Sequence, residues 1–376
     1  VGAAFAAVFA WWWVRKPDWS RNAHGADWHS DVVKYDTPPP ALAGHSSSGA
    51  SFRPDIEGLR AIAVLLVLLY HADLLGVSGG FIGVDVFFVL SGFLITSLLL
   101  RELATTGTVS LANFWARRAR RLLPASGLVL VATLVASRFL LDGLSQGELA
   151  RDAVAGAAFV ANIRFYAVGT DYLTSQLPPS PLLHFWSLAV EEQFYFVWPG
   201  LLLLLVRGLR IGRRGLAGVM AVLWFVSLVV CIRFTANDQP WAFFMLPARA
   251  WELLTGAGLA FVGGAVVRMP KHQRALMGWI GLVVVVVAAV LLDGSMAFPG
   301  WLAAVPVLAT AMIINAGGVA AGPVRALRAK PLQWVGARSY AIYLWHFPIL
   351  IMVERKWGPL SVPVRVALLA LAVVLA

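Results

Sequence analysis

The chain has 376 residues, of which 60% are hydrophobic and 13% charged, with 16 tryptophans, against a globular norm of about half apolar and a quarter charged. That excess excludes an ordinary water-soluble domain and implies an integral membrane protein embedded in a lipid bilayer. The net charge of +11 would suggest nucleic acid in a soluble protein, but here Lys and Arg fall mostly in alternate short loops, a membrane-orientation pattern, so no nucleic-acid partner is expected.

In chain order, residues 1–14, VGAAFAAVFAWWWV, are apolar but short for a span, and Arg15 and Lys16 follow. A truncated helix, an upstream extension and a weak anchor all fit them. A cleaved signal peptide fits poorly, because positive charge should precede its apolar core. Residues 17–51 are polar and rich in Pro, Ser, Gly and His, the composition of a disordered linker. Residues 1–51 therefore read as an apolar segment plus linker, and residues 52–376 as one membrane domain. His24, His29 and His45 in the linker match no metal-ligand spacing. The single cysteine, Cys231, lies in an apolar segment, so an internal disulfide and a cysteine metal site are both excluded.

A stretch of about 20 apolar residues crosses a bilayer. About ten such stretches follow, at roughly 59–75, 81–100, 122–140, 188–206, 215–234, 246–267, 275–292, 300–316, 338–354 and 363–376. The expected fold is an all-α integral membrane bundle of about ten transmembrane helices. The last stretch stops while still apolar, so a cut within or just after it is expected, with a C-terminal or separate extracytoplasmic partner domain to follow.

Loop charge sets orientation. Arg117, Arg118, Arg120 and Arg121 precede the third stretch; later alternate loops carry Arg207, Arg210, Arg213 and Arg214, then Arg268, Lys271 and Arg274, then Arg325, Arg328, Lys330 and Arg338. These loops are expected to share the cytoplasmic side, and an even number of spans puts both ends of the domain there. The other loops are acidic or nearly neutral, including 141–187 with Asp142, Glu148, Asp152 and Asp171. Arg355 and Lys356, offset by Glu354, run slightly against the rule. The expected location is the inner, cytoplasmic membrane of a cell, crossed many times.

Ionisable residues at membrane depth are functional candidates, since hydrocarbon does not solvate them. His71 lies eleven residues after Arg60, about 16 Å along a helix, past the midplane. Asp85 lies roughly 7 Å down the second helix from Gly80, and Ser91 near its middle. The two helices can bring His71 and Asp85 together, and Gly79 and Gly80 suit a tight turn between them because glycine tolerates positive φ.

Six blocks follow one another from there: Arg60 and His71 with ten residues between them; GVDVFFVLSGF from Gly83; FWARRARRLLP from Phe114; HFWSLAVEEQFYFVWP from His184; PARAWELLTG from Pro247; VGARSYAIYLWHFP from Val335. In this order they resemble the membrane acyltransferase-3 family of O-acyltransferases, over nearly the whole chain after residue 52. The resemblance implies transfer of an acyl group, often acetyl, from acyl-CoA to a hydroxyl of a cell-envelope glycan, lipid-linked acceptor or metabolite, with acetyl-CoA as the foremost donor and no metal.

Each block also has a plainer reading. His71 is either a structural histidine bridging helices or the general base that acyl transfer to an alcohol needs, or a transient acyl carrier. Asp85 would orient and stabilise the protonated imidazole, or else cap backbone or pair with an arginine. The arginine block is an orientation signal, or a phosphate grip for coenzyme A, since Arg forks match phosphate oxygens. The family's pair of arginines three apart falls on Arg118 and Arg121, while Arg117 and Arg120 have the same spacing and leave the register open; Arg60 joins them at that face. Glu191 and Glu192 are neighbours about 100° apart on a helix, so one is expected to face the bundle, with Glu191 a catalytic candidate, and the other to face outward. Arg249 and Glu252 suit a same-face ion pair or a charge at the acceptor site. Ser91 and Ser187 read as packing or hydrogen-bonding hydroxyls. Tyr340, Tyr343 and His346 lie along one stretch, Tyr343 and His346 on one face, with His346 a packed support. His184 is an outer-loop contact to the acceptor, beside Trp186.

The leading expectation is a membrane O-acyltransferase. Its rivals are a transporter or flippase relaying protons through intramembrane His, Asp and Glu, for which no internal repeat is visible, and a structural membrane protein that has lost activity.

Overall fold

The structure is a computed structural model that describes residues 53–169, 179–266 and 269–376, without the side chains of 262–266. Residues 1–51, with His24, His29 and His45, lie outside the described residues, as do Asp171 and Arg268.

Local chemistry explains where the helices around the site begin and end. Helix α1 (Pro54–His71) opens on a proline whose ring presets the dihedral of a first helical residue, with Asp55 and Glu57 on its positive N-terminal dipole. A short 3₁₀ turn, Gly80–Ile82, feeds α2 (Gly83–Thr106), which stops where Gly107 takes a left-handed φ of 68°. The Ser110 side chain caps α3 (Leu111–Leu140) by accepting from the Asn113 N–H. There follow α4 (Gly143–Ala157), α5 (Ala161–Ala167), α6 (Phe185–Leu203), α7 (Arg213–Asn237), α8 (Gln239–Phe244), α9 (Leu246–Val266), α10 (Lys271–Leu291), α11 (Ala304–Ala316), α12 (Val324–Leu327), α13 (Lys330–Trp357) and α14 (Val362–Leu375).

The regular elements among the described residues are all helical, and one stands at each of the ten predicted stretches. Five are long and apolar enough to cross a membrane: Gly80–Thr106, Leu111–Leu140, Phe185–Gly208, Arg213–Asn237 and Lys271–Leu291. Helices α11 and α14 are apolar but shorter. Helix α1 carries Asp55, Glu57 and Arg60 within its 18 residues, which dilutes its apolarity.

Contacts between helices fix their directions. Glu57 meets Gly336 at one end of α1 while His71 meets His346 at the other, so α1 and α13 run parallel. Asp85 meets Arg249 and Val89 meets Gly256, so α2 and α9 also run parallel. Arg53 reaches the Ile314 carbonyl, Gln333 that of Pro54, Arg274 that of Ala316 and Arg213 that of Phe261. These bonds gather the basic loops at one end of the bundle, the clustering that loop charge predicted.

Glycines let backbones touch. A Cβ at Gly92 would fall on the Leu253 carbonyl, and one at Gly256 on the Val89 carbonyl, so α2 and α9 cross at van der Waals distance of their main chains. Gly92→Val is expected to cost about 1–3 kcal/mol through overpacking, read as a lowered thermal midpoint in detergent. Gly127→Ala, at a position with open space around it, should leave that midpoint unchanged.

The role expected of Gly79 and Gly80 is corrected. Gly79 has φ −97°, and positive φ falls instead on Asp73, Leu75 and Gly76. Gly79 and Gly80 are small because Ala288, Leu292 and Leu66 carbonyls press on them. They serve close packing, and the turn is made upstream.

Candidate functional site

An open cavity lies between α1, α2, α3, α6 and α13. Its lining on α2 runs from Val84 to Ile95, about 16 Å along the helix axis. Arg60, Arg118 and Arg121 line it together, whereas Arg117 does not. Arg117 is half exposed and pairs with Glu102 at 3.3 Å, so its expected place in the grip is corrected. Rotation of α3 decides the register that spacing left open: Arg118 and Arg121 turn inward, with Arg121 exposed at the rim.

Arg118 is held firmly. Its Nη2 donates to Glu192 Oε1 at 2.8 Å, and its guanidinium lies 3.6 Å from the centre of the Tyr195 ring, a cation–π geometry. Its Nε is buried and has no hydrogen-bond partner among the described residues. Arg60 sits 3.6 Å from Glu57, one turn earlier. The wall across from Arg118 carries Glu191, whose Oε1 accepts from Ser91 Oγ at 2.9 Å and whose Oε2 accepts from Tyr195 at 3.4 Å.

Glu191 and Glu192 both line the cavity, which corrects the expectation that one faces outward. Their divergence by about 100° points one carboxylate at α2 and the other at α3, on two walls of a space wide enough for both. Tyr195 is a member of this network that sequence reasoning did not single out. Its signal was present: it stands four residues after Glu191, on the same helical face.

Farther along, Ser187 and Tyr343 close the cavity. Their hydroxyls are 2.7 Å apart, and Tyr343 donates to the His184 carbonyl at 3.1 Å. Behind Tyr343 three imidazoles cluster. His346 Nδ1 stands 2.6 Å from the Tyr343 carbonyl, and His346 Nε2 stands 3.0 Å from His71 Nδ1, with the two rings stacked at 5.1 Å. His184 Nε2 stands 3.1 Å from the Leu344 carbonyl, its ring against His346 and Phe347. His184 is fully buried, so it is not the outer-loop contact the sequence suggested. Among the described residues no group of three or more His, Cys, Asp or Glu is arranged to hold a metal. Ser339 is a further lining residue missed from sequence: its buried hydroxyl has no hydrogen-bond partner among the described residues.

Asp85 is elsewhere. Arg249 Nη2 donates to Asp85 Oδ1 at 3.0 Å, and Arg249 Nε lies 3.1 Å from Glu252 Oε1, the same-face pair expected of three-residue spacing. The second contact is an ion pair without hydrogen-bond alignment. Phe88, Trp186, Phe243 and Phe298 surround the guanidinium at 5.4–5.9 Å. The pairing of Asp85 with His71 is thus corrected: depth along a helix gives no azimuth, and Asp85 turns toward α9 while His71 turns toward α13.

Comparison with known proteins now bears on this geometry. Residues 53–376 match the profile of a family described as an acyltransferase domain. The chain is 36% identical over 312 residues to the peptidoglycan O-acetyltransferase OatA of Listeria monocytogenes, covering 80% of this chain and 49% of that protein. It is 32% identical over 329 residues to the O-acetyltransferase OatA of Staphylococcus aureus, covering 84% and 53%. The chain spans about half the length of these curated relatives. No solved structure gives a significant match.

Proposed function

The chain belongs to this acyltransferase family, and from that premise we propose that it is a multi-pass membrane O-acetyltransferase whose acceptor is a hydroxyl of an envelope glycan, peptidoglycan foremost. The names of the matched relatives support the acceptor class. A proton-relay transporter is not favoured by a chain that matches an acyltransferase domain along its length. The ten apolar stretches all span in this reading, with the basic end cytoplasmic and both domain ends on that side.

The observation that carries the mechanism is a cavity with arginines at its rim and the Ser187 and Tyr343 hydroxyls at its far end, where Tyr343 stands between the cavity and the histidine cluster. Acyl-CoA, acetyl-CoA foremost, sets its phosphates against Arg60, Arg118 and Arg121, the unpartnered Nε of Arg118 supplying one donor. Its thioester extends along the cavity past Ser91 and Glu191. An acceptor hydroxyl enters from the opposite end, and His71 takes its proton as oxygen attacks the thioester carbonyl. The carbon–sulfur bond then breaks, His71 returns the proton to the departing thiolate, and the coenzyme leaves as its thiol. In a covalent variant His71 itself holds the acyl group between two transfers.

Radiolabelled acetyl transfer from acetyl-CoA to peptidoglycan in membranes carrying this protein tests the proposal; no transfer above membranes without it would defeat it. Arg118→Ala is expected to raise KM for acetyl-CoA by about tenfold or more, the loss of a charge-assisted bond. Arg117→Ala should change it by less than about twofold, as for an exposed ion pair. Equal effects of the two would refute the register read from the cavity.

A further inference from the structure

The hydrogen bonds around His71 carry a proton assignment. A carbonyl oxygen can only accept, so the 2.6 Å approach of His346 Nδ1 to the Tyr343 carbonyl puts a hydrogen on that nitrogen. A neutral imidazole has one N–H, which leaves His346 Nε2 an acceptor. A second proton on His346 would be a charge sealed beside Tyr343, His184 and Phe347 with no carboxylate partner among the described residues, a costly state. His346 Nε2 therefore accepts, and the donor 3.0 Å away is His71 Nδ1. Which nitrogen of a histidine bears the proton is set by the bond the other makes. A neutral His71 is thereby the Nδ1–H tautomer, with its lone pair on Nε2.

We propose that His346 is a positioning residue: through the relay from the Tyr343 carbonyl to His346 to His71, it fixes His71 in the tautomer whose Nε2 can take a proton. The tautomer stands on geometry alone, while its catalytic consequence rests on the reading of His71 as the base. When Nε2 takes the hydroxyl proton, Nδ1–H stays bonded to His346, and the positive charge that forms on His71 is shared with a neutral acceptor. No proton passes to His346, so the relay orients and stabilises without itself reacting.

Two substitutions separate acceptor from bulk. His346→Gln keeps a side-chain oxygen where Nε2 stood, and His346→Leu fills the space without an acceptor. The experiment is ¹⁵N-histidine NMR of the full chain in lipid nanodiscs, with His71 signals assigned by their loss in His71→Gln, alongside acetyl transfer. Wild type and His346→Gln should show protonated Nδ1 and unprotonated Nε2 at His71; His346→Leu should lose that pattern. Transfer should fall about 10²-fold or more in His346→Leu, the usual worth of a correctly protonated base, and stay within about tenfold of wild type in His346→Gln. An Nε2–H tautomer in wild type overturns the proposal, and so does a wild-type rate in His346→Leu. Should His346→Leu fail to fold, the wild-type spectrum and the His346→Gln rate still decide. If His71→Ala keeps full transfer while the wild-type spectrum shows Nδ1–H, the base reading fails and the tautomer assignment survives.

Discussion

Replacing His71 with alanine is expected to lower acetyl transfer by about 10²–10⁴-fold, the contribution of a positioned general base, with the protein still inserted and folded. The separation of these effects needs care, because His71 stacks on His346 at 5.1 Å and meets the edge of Phe347 at 4.8 Å. Truncation to alanine removes those contacts as well as the base. His71→Asn is the sharper variant: its side-chain amide can donate to His346 Nε2 as Nδ1 does, yet it has no nitrogen able to take a proton. Both variants should lose transfer, and His71→Asn should keep the wild-type thermal midpoint. Full transfer in either would remove His71 from the chemistry. Incubating wild type with labelled donor and no acceptor then separates the two routes, since label retained on the protein marks a covalent carrier and its absence marks direct attack.

The sequence made the longitudinal order of this site legible and left its azimuth dark. Alternate basic loops anticipated which helix ends gather, and the parallel courses of α1 with α13 and of α2 with α9 agree with counting spans. The shared face of Tyr343 and His346 was readable from helical period, whereas the partner of His71 was not: helical rise suggested Asp85, and the structure sets His346 there. Rotation about each helix was not readable. Arg117 and Arg120 have the same spacing as Arg118 and Arg121, and it is the packing of α3 on its neighbours, through Trp115 to the Tyr195 carbonyl, Arg118 to Glu192 and Tyr340 to the Leu122 carbonyl, that turns one pair inward. The same blindness paired Asp85 with His71 and sent one of Glu191 and Glu192 outward. Local periodicity cannot say how wide the space between helices is, and at this cavity the width admits both carboxylates.

Arg249→Met is expected to destabilise the protein by about 3–5 kcal/mol, the cost of breaking a buried ion cluster by removing one member. Asp85 and Glu252 both face that one guanidinium, and all three side chains are at most 1% exposed. Losing either carboxylate leaves Arg249 with the other; losing Arg249 leaves two carboxylates against Phe88, Trp186, Phe243 and Phe298 with no cation. Thermal unfolding should therefore rank Arg249→Met well below Asp85→Asn and Glu252→Gln. Replacing all three with Met or Leu should recover much of the loss, because apolar substitutes of similar volume avoid the desolvation penalty. The same cluster decides what Asp85 does for catalysis. A carboxylate that oriented His71 would cost about 10⁴-fold in kcat on conversion to the amide, as in a hydrolase triad. Held by Arg249 instead, Asp85→Asn should keep kcat within about tenfold while lowering the thermal midpoint. A 10⁴-fold loss with the midpoint unchanged would mean that Asp85 leaves Arg249 for His71 during turnover, and that the resting geometry is not the reacting one.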